Sequence, residues 1–231
     1  FRQGQEAIID HILNGKDVVS IMPTGAGKSI CYQIPALMMQ GVALVISPLI
    51  SLMKDQVDAL VQSGIKAAYL NSSLSAGQYS EVLNRAANGE YQILYAAPER
   101  LMTEDFLSLT KQIKISMVSV DEAHCISQWG QDFRPSYLKI VEFVEQLPNR
   151  PVISAFTATA TLEVREDIIG ILRLQDPFAI ATGFDRKNLF FGVEKPGNKF
   201  SALLKIINKH ENKSGIIYCS TRKAVETVFH K

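Results

Sequence analysis

One short glycine-containing segment, residues 22–29, constrains the fold of this chain more than any other stretch. It follows an apolar run that ends at Ile21 and precedes a stretch with helical spacing. A strand, a glycine loop and a helix in this order are the setting of a phosphate-binding loop. Gly25 and Gly27 allow backbone angles closed to other residues, so successive N–H groups can turn towards a polyphosphate. The usual pattern begins with Gly where this chain has Met22, which leaves an ordinary glycine turn as the alternative.

The side chains of this glycine loop, residues 22–29, predict contacts with a nucleotide. A helix that begins near Lys28 would direct its positive end at the phosphates. Lys28 would place an ammonium at the β- and γ-phosphates, and Ser29 would offer its hydroxyl to Mg²⁺. The expected nucleotide-binding residues of the loop are Thr24, Gly25, Ala26, Gly27, Lys28 and Ser29.

Apolar runs of strand length alternate with stretches of helical spacing along most of the chain. The predicted strands are residues 18–22, 42–47, 67–70, 92–96, 115–120 and 152–156. The predicted helices are residues 5–13, 29–39, 49–63, 75–87, 101–110, 135–147 and 162–172. Several strand runs are apolar nearly throughout, which is typical of strands covered on both faces. The alternation predicts an α/β fold with a parallel sheet and helices on both faces.

A domain boundary is predicted near Thr182 and Gly183. Beyond it, residues 189–193 and 214–219 have strand-like patterns, and residues 200–210 and 224–229 have helical spacing. This order predicts one α/β domain over residues 1–182 and the N-terminal fragment of a second over residues 183–231.

Composition narrows the class of protein. The 231 residues, 47% of them hydrophobic, are enough for one large domain or one domain and part of another. A formal net charge of +1 shows no bulk basic signature, so any nucleic-acid binding has to be local. No apolar run has the length of a membrane span, and we expect no membrane association. The three cysteines form no C-x-x-C pair, so neither zinc nor a disulfide framework is expected. Because the chain begins at Phe1, we expect the natural start to lie upstream.

Two adjacent carboxylates end one of the predicted strands. Asp121 and Glu122 follow residues 115–120, and the carboxyl ends of parallel strands share one edge of a sheet with the glycine loop. Asp121 can hold Mg²⁺ opposite Ser29, and Glu122 can deprotonate a water that attacks a γ-phosphate. An isolated pair of this kind would be a solvated strand end. Together with Lys28 in the same sheet, the pair predicts phosphoryl-transfer chemistry.

With these motifs in this order, the chain resembles a RecQ-family DNA helicase of helicase superfamily two, over essentially its whole length. In that superfamily the glycine loop commonly begins without Gly. The resemblance implies RecA-like domains, ATP and Mg²⁺ as cofactors, and no zinc in this chain. The catalytic residues that it implies are Lys28, Asp121, Glu122 and His124.

The first residues resemble the family's adenine-reading motif. The Gln5 amide can both donate to and accept from the adenine edge, and the planar Arg2 guanidinium can stack on the base. A polar helix start is the alternative. Residues 47–56 and 96–101 resemble segments that contact the backbone of single-stranded DNA, with capped helix starts as the alternative. The candidates there are Ser47, Pro48, Lys54, Glu99 and Arg100.

Within the distinctive stretch 125–137, residues 126–135 resemble the aromatic-rich loop that distinguishes the family, and we call residues 126–135 the aromatic segment. Aromatic faces can stack on unpaired bases, and an arginine adds a cation. Beside the carboxylates, the segment is expected to couple DNA occupancy to ATP hydrolysis; a tryptophan buried under a surface loop is the alternative. Its candidate residues are Gln128, Trp129, Phe133 and Arg134. The family usually has His where this chain has Gln131, which can hydrogen-bond but cannot titrate.

Two threonines and a later segment complete the resemblance. Thr157 and Thr159 are expected to bond to the turn at residues 121–124 and to link the ATP site to domain movement. Residues 184–189, with Arg186 and Asn188, resemble the motif that opens the second motor domain.

The resemblance implies an ATP-dependent 3′-to-5′ DNA helicase of DNA repair and recombination, which couples hydrolysis to translocation and unwinding. In the family an arginine finger lies downstream of position 231, so the chain alone is expected to bind ATP and hydrolyse it weakly. The expected partners are single-stranded and partly duplex DNA, and a monomer is expected. The expected location is the nucleoid in the cytoplasm of a bacterium, or the nucleus of a eukaryote.

Two other functions remain as alternatives. A DEAH-type RNA helicase shares Lys28, Asp121, Glu122 and His124, but it lacks the aromatic segment. A non-enzymatic DNA-binding module could use ATP only as a structural ligand.

Overall fold

The computed structural model describes residues 1–130, 132–183 and 189–230. The expectations for Gln131, Arg186 and Asn188 lie outside these ranges. Contacts divide the chain into two compact units, Phe1–Phe184 and Asp185–Lys231.

The first unit alternates strands and helices along most of its length. Its strands are β1 (Val18–Ile21), β2 (Val42–Ile46), β3 (Ala67–Leu70), β4 (Ile93–Ala96), β5 (Ile115–Val120), β6 (Val152–Thr157) and β7 (Phe178–Ala181). Its α-helices are α1 (Gln5–Leu13), α2 (Lys28–Met38), α3 (Ile50–Gln62), α4 (Ala76–Ala87), α5 (Glu104–Thr110), α6 (Lys139–Glu145) and α7 (Leu162–Ile171). Short 3₁₀ turns occupy Pro98–Arg100, Ala123–Ile126 and Pro135–Leu138.

The strands form one parallel sheet in the order β3-β4-β2-β5-β6-β1-β7. Successive side chains of a strand point to opposite faces, so each buried strand supplies two layers. Ala43 and Val45 of β2 join a core with α1, α2 and α3, whereas Leu44 and Ile46 join a core with α4 to α7. The predicted parallel sheet with helices on both faces is therefore confirmed.

The strands predicted before residue 157 all form, but β7 was not predicted. Its residues alternate between half-buried and exposed, and it pairs with β1 at one edge of the sheet. A short edge strand of this kind lacks the continuous apolar run that marks the central strands.

The second unit contains helices α8 (Lys199–Lys209) and α9 (Arg222–Phe229). The strands predicted at residues 189–193 and 214–219 are wrong, because the structure has no strand there. A strand requires a ladder partner, and neither stretch has one among the described residues of this unit. In the described part of the chain, no helix is both long and apolar enough to cross a bilayer.

Candidate functional site

The order of three neighbouring strands brings the predicted site residues together. In the sheet, β5 lies beside β6 and β6 lies beside β1. The glycine loop follows β1, Asp121 follows β5, and Thr157 ends β6. Because all three strands are parallel, their carboxyl ends form one edge, where ligands bind in open α/β sheets.

The glycine loop has the backbone conformation that its glycines predict. Gly25 has a φ of 82° and Gly27 a φ of 85°, both in the left-handed region that favours glycine. Helix α2 begins directly afterwards at Lys28, so its positive end faces the loop. The Lys28 ammonium donates to the Met22 carbonyl oxygen across 3.2 Å, which holds the cation inside the loop.

The start of α1 is tied to the same loop. The buried Gln5 amide donates to the carbonyl oxygens of Ala26 and Gly27, each at 3.1 Å, and accepts from the Arg2 backbone N–H at 2.7 Å. The Arg2 guanidinium donates to the Gly25 carbonyl oxygen. A Cβ at Gly27 would lie 2.4 Å from the Gln5 side-chain nitrogen, so a larger residue there would displace the Gln5 amide. The residues predicted to read adenine therefore contact the residues predicted to hold phosphate.

Asp121 is a buried carboxylate at the end of β5, with 8% of its surface exposed. Burial, and then the Glu122 charge, raise its pKa to about 6, although the Glu122 N–H and the Lys28 charge oppose that shift. The Glu122 N–H donates to Asp121 Oδ1 at 3.0 Å. A divalent cation beside such a carboxylate would offset the burial and favour its charged form. The residue therefore fits a magnesium ligand.

Glu122 adopts a left-handed backbone with a φ of 47°, which is uncommon for any residue other than glycine. Its carboxylate lies 3.3 Å from His124 Nδ1, and this contact is the main cause that lowers the pKa of Glu122. The Lys28 charge lowers it further. Glu122 is thus held as a carboxylate, the form that can accept a proton.

His124 connects the carboxylates to β6. Its Nδ1 lies 2.9 Å from Thr157 Oγ1, and the Thr157 hydroxyl donates to the Thr159 carbonyl oxygen at 3.1 Å. Contacts with the Cys125 thiol and then with the Glu122 carboxylate raise the pKa of His124 to about 9. The ring is therefore an imidazolium at neutral pH. Thr157 makes the contact predicted with the 121–124 turn, and Thr159 contacts Thr157.

Ser29, the second predicted magnesium ligand, lies in the first turn of α2. Its side chain lies beside the buried Tyr32 hydroxyl and lowers the pKa of that hydroxyl, which also interacts with the Asp121 charge. The pKa of Tyr32 is raised well above its ordinary value, mainly by burial and then by Tyr95 and Asp121. Ser29 and Asp121 therefore border the same tyrosine.

The aromatic segment folds back onto this turn. A Cβ at Gly130 would lie 2.2 Å from the His124 carbonyl oxygen, and the Arg134 N–H donates to the Cys125 carbonyl oxygen at 2.8 Å. Trp129 nevertheless has 79% of its surface exposed, so its indole is available to a ligand. Phe133 is half-buried.

The remaining residues predicted to contact DNA differ in their burial and in the contacts that they make. Arg134 donates to the Pro48 carbonyl oxygen at 3.3 Å, so the structure joins the aromatic segment to the start of the 47–56 segment. Ser47 is buried, with no partner for its hydroxyl among the described residues, and its backbone N–H donates to the Ala96 carbonyl oxygen at 3.2 Å. Arg100 lies over the Tyr79 ring at 5.1 Å. Three further candidates are simply exposed, namely Lys54, Glu99 and Gln128.

Sequence reasoning missed two side chains that shape the site. The buried Tyr137 donates its hydroxyl to the Asp121 carbonyl oxygen at 2.9 Å. Asp167 accepts from the Ser127 hydroxyl at 2.6 Å. Their partners lie 16 and 40 residues away in the chain, so no local pattern indicated either contact.

The family of the chain is shown by comparison with known proteins. The model of the DEAD/DEAH box helicase family matches residues 2–168, and the chain belongs to that family. Relatives described as ATP-dependent DNA helicase RecQ confirm the more specific resemblance. The protein from Bacillus subtilis is 47% identical over 100% of this chain and 39% of its own length. The protein from Pasteurella multocida is 47% identical over 99% of this chain and 36% of its own length.

A solved structure supports the fold. The crystal structure of the DUF1998 helicase MrfA aligns with 100% of this chain and 38% of its own, with a TM-score of 0.73 and 19% identity. At that identity the likeness shows the fold alone. The chain spans well under half the length of these relatives.

Proposed function

We propose that this chain is the ATP-binding motor portion of an ATP-dependent 3′-to-5′ DNA helicase of repair and recombination. The observation that carries the proposal is the junction at the ends of β1, β5 and β6. There the glycine loop, the two carboxylates and Thr157 meet, and the aromatic segment contacts the same turn. The proposed nucleotide site and the proposed surface for DNA would therefore share the turn at residues 121–124.

The residues of the glycine loop fit a nucleotide polyphosphate. The left-handed glycines and the start of α2 present N–H groups, and Lys28 adds a positive charge. Gln5 and Arg2 would place an adenine beside the loop that they already contact. Asp121 and the Ser29 hydroxyl would hold Mg²⁺. When bound, the magnesium ion neutralises charge on the transferring phosphate and orients it.

Glu122 is proposed as the base that orients and deprotonates the attacking water. The His124 contact keeps its carboxylate charged, and the left-handed backbone turns it away from the strand direction. His124 is proposed to transmit the state of this carboxylate to β6 through Thr157. Trp129, Phe133 and Arg134 would stack on unpaired bases and contact the backbone.

Nucleotide binding by this chain is the first test. A fluorescent ATP analogue with Mg²⁺ should bind, and Lys28→Ala should weaken binding at least about tenfold, because it removes the cation from the phosphates. Lys16→Ala is the matched control, since Lys16 makes only a 4.0 Å ion pair with the exposed Asp176. Equal loss in both variants, or none in Lys28→Ala, would contradict the proposed site.

The nucleic-acid substrate is tested by ATP hydrolysis with oligodeoxythymidylate and with oligouridylate of equal length. Greater stimulation by the DNA strand is expected. Greater stimulation by RNA would favour the RNA-helicase alternative, and nucleotide binding without any response would favour a non-enzymatic module. Hydrolysis should remain slow, because an arginine finger can supply a factor of about 10³–10⁵ and the resemblance places it beyond this stretch.

Further properties of the whole protein belong to the same proposal. Residues 1–182 would form the first RecA-like motor domain and residues 183–231 the start of a second. Single-stranded and partly duplex DNA would be its partners, bound by a monomer. Association with the chromosome, in a bacterial nucleoid or a eukaryotic nucleus, follows from such a substrate.

A further inference from the structure

Ser127 links the aromatic segment to helix α7. It is fully buried, and its hydroxyl donates to Asp167 Oδ2 at 2.6 Å. The Ser127 hydroxyl oxygen in turn accepts the Trp129 backbone N–H at 3.1 Å. A hydrogen bond to a carboxylate is stronger than one between neutral groups. One hydroxyl therefore joins the Asp167 carboxylate to the backbone of the exposed tryptophan.

Helix α7 is also the element that follows the end of β6. Thr157 at that end contacts His124, and α7 packs on the 3₁₀ turn Ala123–Ile126. The chain after Asp121 is thus tied to β6 and α7 at two points, His124 to Thr157 and Ser127 to Asp167. The first tie lies at the proposed catalytic carboxylates, and the second lies at the base of the aromatic segment.

The two ties define how a change at one site would reach the other. With Ser127 fixed by Asp167, Trp129 is held to α7, so a movement of β6 and α7 relative to the 123–126 turn would reach Trp129 through the Ser127 hydroxyl. Without the Asp167 contact, Ser127 could rotate and the backbone at Trp129 could move independently of the turn. Packing of the Trp129 indole would not hold it in place, since 79% of its surface is exposed to solvent.

We propose that Asp167 is a positioning residue which, through Ser127, holds Trp129 in register with the His124 turn and so couples nucleotide binding to binding of single-stranded DNA. This inference rests on the proposed function and adds a residue that acts without contact to either ligand. Asp167 lies on α7, outside every segment that suggested a nucleotide or DNA contact.

Trp129 is the only tryptophan in the chain, so its emission reports directly on the aromatic segment. The 231-residue chain is titrated with fluorescein-labelled oligodeoxythymidylate, with and without Mg²⁺ and a non-hydrolysable ATP analogue. In the wild-type chain, nucleotide should change the oligonucleotide affinity by about five- to tenfold. Asp167→Ala should reduce that factor to below about twofold and leave the affinity for nucleotide alone within about twofold. Time-resolved anisotropy of Trp129 should show faster local motion in this variant.

Two further variants separate positioning from a general loss of structure. Glu166→Ala removes the same charge from the neighbouring, exposed position of α7 and should match the wild type. Asp167→Asn keeps an acceptor oxygen for Ser127 and should restore most of the coupling. In the double variant of Ser127→Ala and Asp167→Ala, coupling should be no lower than in Asp167→Ala alone, because one hydrogen bond is lost in both cases.

The outcomes distinguish this inference from the function on which it rests. Coupling in the wild type that persists in Asp167→Ala overturns the role of Asp167 and leaves the proposed function intact. Coupling lost equally in Glu166→Ala also overturns it, because charge alone would then explain the effect. A wild-type chain in which nucleotide and oligonucleotide bind independently overturns both proposals.

Discussion

At the scale of single residues, the site stores strain where its proposed chemistry takes place. Glu122 has a φ of 47°, and a left-handed backbone at a residue with a side chain costs about 1–3 kcal/mol. Its N–H donates to Asp121 Oδ1, and its carbonyl oxygen accepts the Cys125 N–H at 2.9 Å. These contacts hold a conformation that aims the carboxylate at His124 instead of continuing the strand.

The charge of His124 makes a pH-dependent contribution to stability. Its pKa is raised from 6.5 to about 9, first by the Cys125 thiol and then by Glu122. Because folding raises this pKa, the protonated His124 stabilises the folded chain. The contribution is complete below about pH 6.5 and is lost as the pH rises through about 9. The free energy of unfolding in urea should therefore differ between the wild type and His124→Gln at pH 6, and the difference should shrink by pH 10. A difference that grows with pH would instead show that folding lowers the pKa of His124.

Gly130 is predicted to be intolerant of any side chain. Its Cβ would lie 2.2 Å from the His124 carbonyl oxygen and 3.1 Å from that of Ser127, and backbone atoms cannot move aside cheaply. Gly130→Ala should lower the free energy of unfolding by about 1–3 kcal/mol and shift Trp129 emission. Gly77→Ala on α4 is the control, since a Cβ there meets nothing within 4 Å. If the two variants are equally stable, the aromatic segment does not lie against the turn.

The sequence alone predicted the residues whose roles are marked by a short sequence pattern around them. Lys28 and Asp121 follow strands within recognisable patterns, and the structure brings their charges close enough to influence one another. Tyr137 and Asp167 could not be found in this way, because each acts through one hydrogen bond to a distant part of the chain. The sheet order that makes those contacts possible is a property of the fold, and no short pattern encodes it.

At the scale of elements, the strand predictions were correct where both faces of the strand are buried. Central strands such as β2 and β4 are buried at every position, so their apolar runs are unmistakable. The edge strand β7 alternates and was missed. The apolar runs at 189–193 and 214–219 have strand composition but no ladder partner in the described second unit. A stretch with the composition of a strand therefore forms one only where a neighbouring strand pairs with it.

Helix α4 begins with a complete capping box, although most of its surface is exposed. The Ser75 hydroxyl accepts from the Gln78 N–H at 3.3 Å, and the Gln78 side chain accepts from the Ser75 N–H at 2.9 Å. Ser75→Ala should lower the free energy of unfolding by about 1 kcal/mol. Ser80→Ala, an exposed change within the same helix, should leave stability unchanged or raise it slightly. Urea denaturation that ranks the two variants in the opposite order would contradict a role for the cap.

At the scale of the whole molecule, the carboxyl ends and the amino ends of the strands have different roles. The carboxyl ends of β1, β5 and β6 form the proposed site, whereas the amino ends of β6, β1 and β7 converge on Asp17. This carboxylate has 2% of its surface exposed and accepts the backbone N–H groups of Ile153 at 2.9 Å and Gln175 at 2.7 Å. Arg150 donates to both of its oxygens, at 3.2 and 2.5 Å. Asp17 thereby joins stretches of chain up to 158 residues apart.

Asp17→Asn should destabilise the chain by about 3 kcal/mol, because it removes one partner of a buried charged pair and turns an amide N–H₂ towards existing donors. Asp176→Asn removes the same charge from a position where the side chain is 99% exposed and its ion pair is 4.0 Å long, so stability should change by less than about 0.5 kcal/mol. Asparagine also suits the left-handed backbone at Asp176. Because Asp17 lies at the opposite edge from the glycine loop, nucleotide affinity of the folded Asp17→Asn chain should match the wild type. A loss of nucleotide affinity without a loss of stability would show that the amino edge takes part in binding rather than only in holding the sheet together.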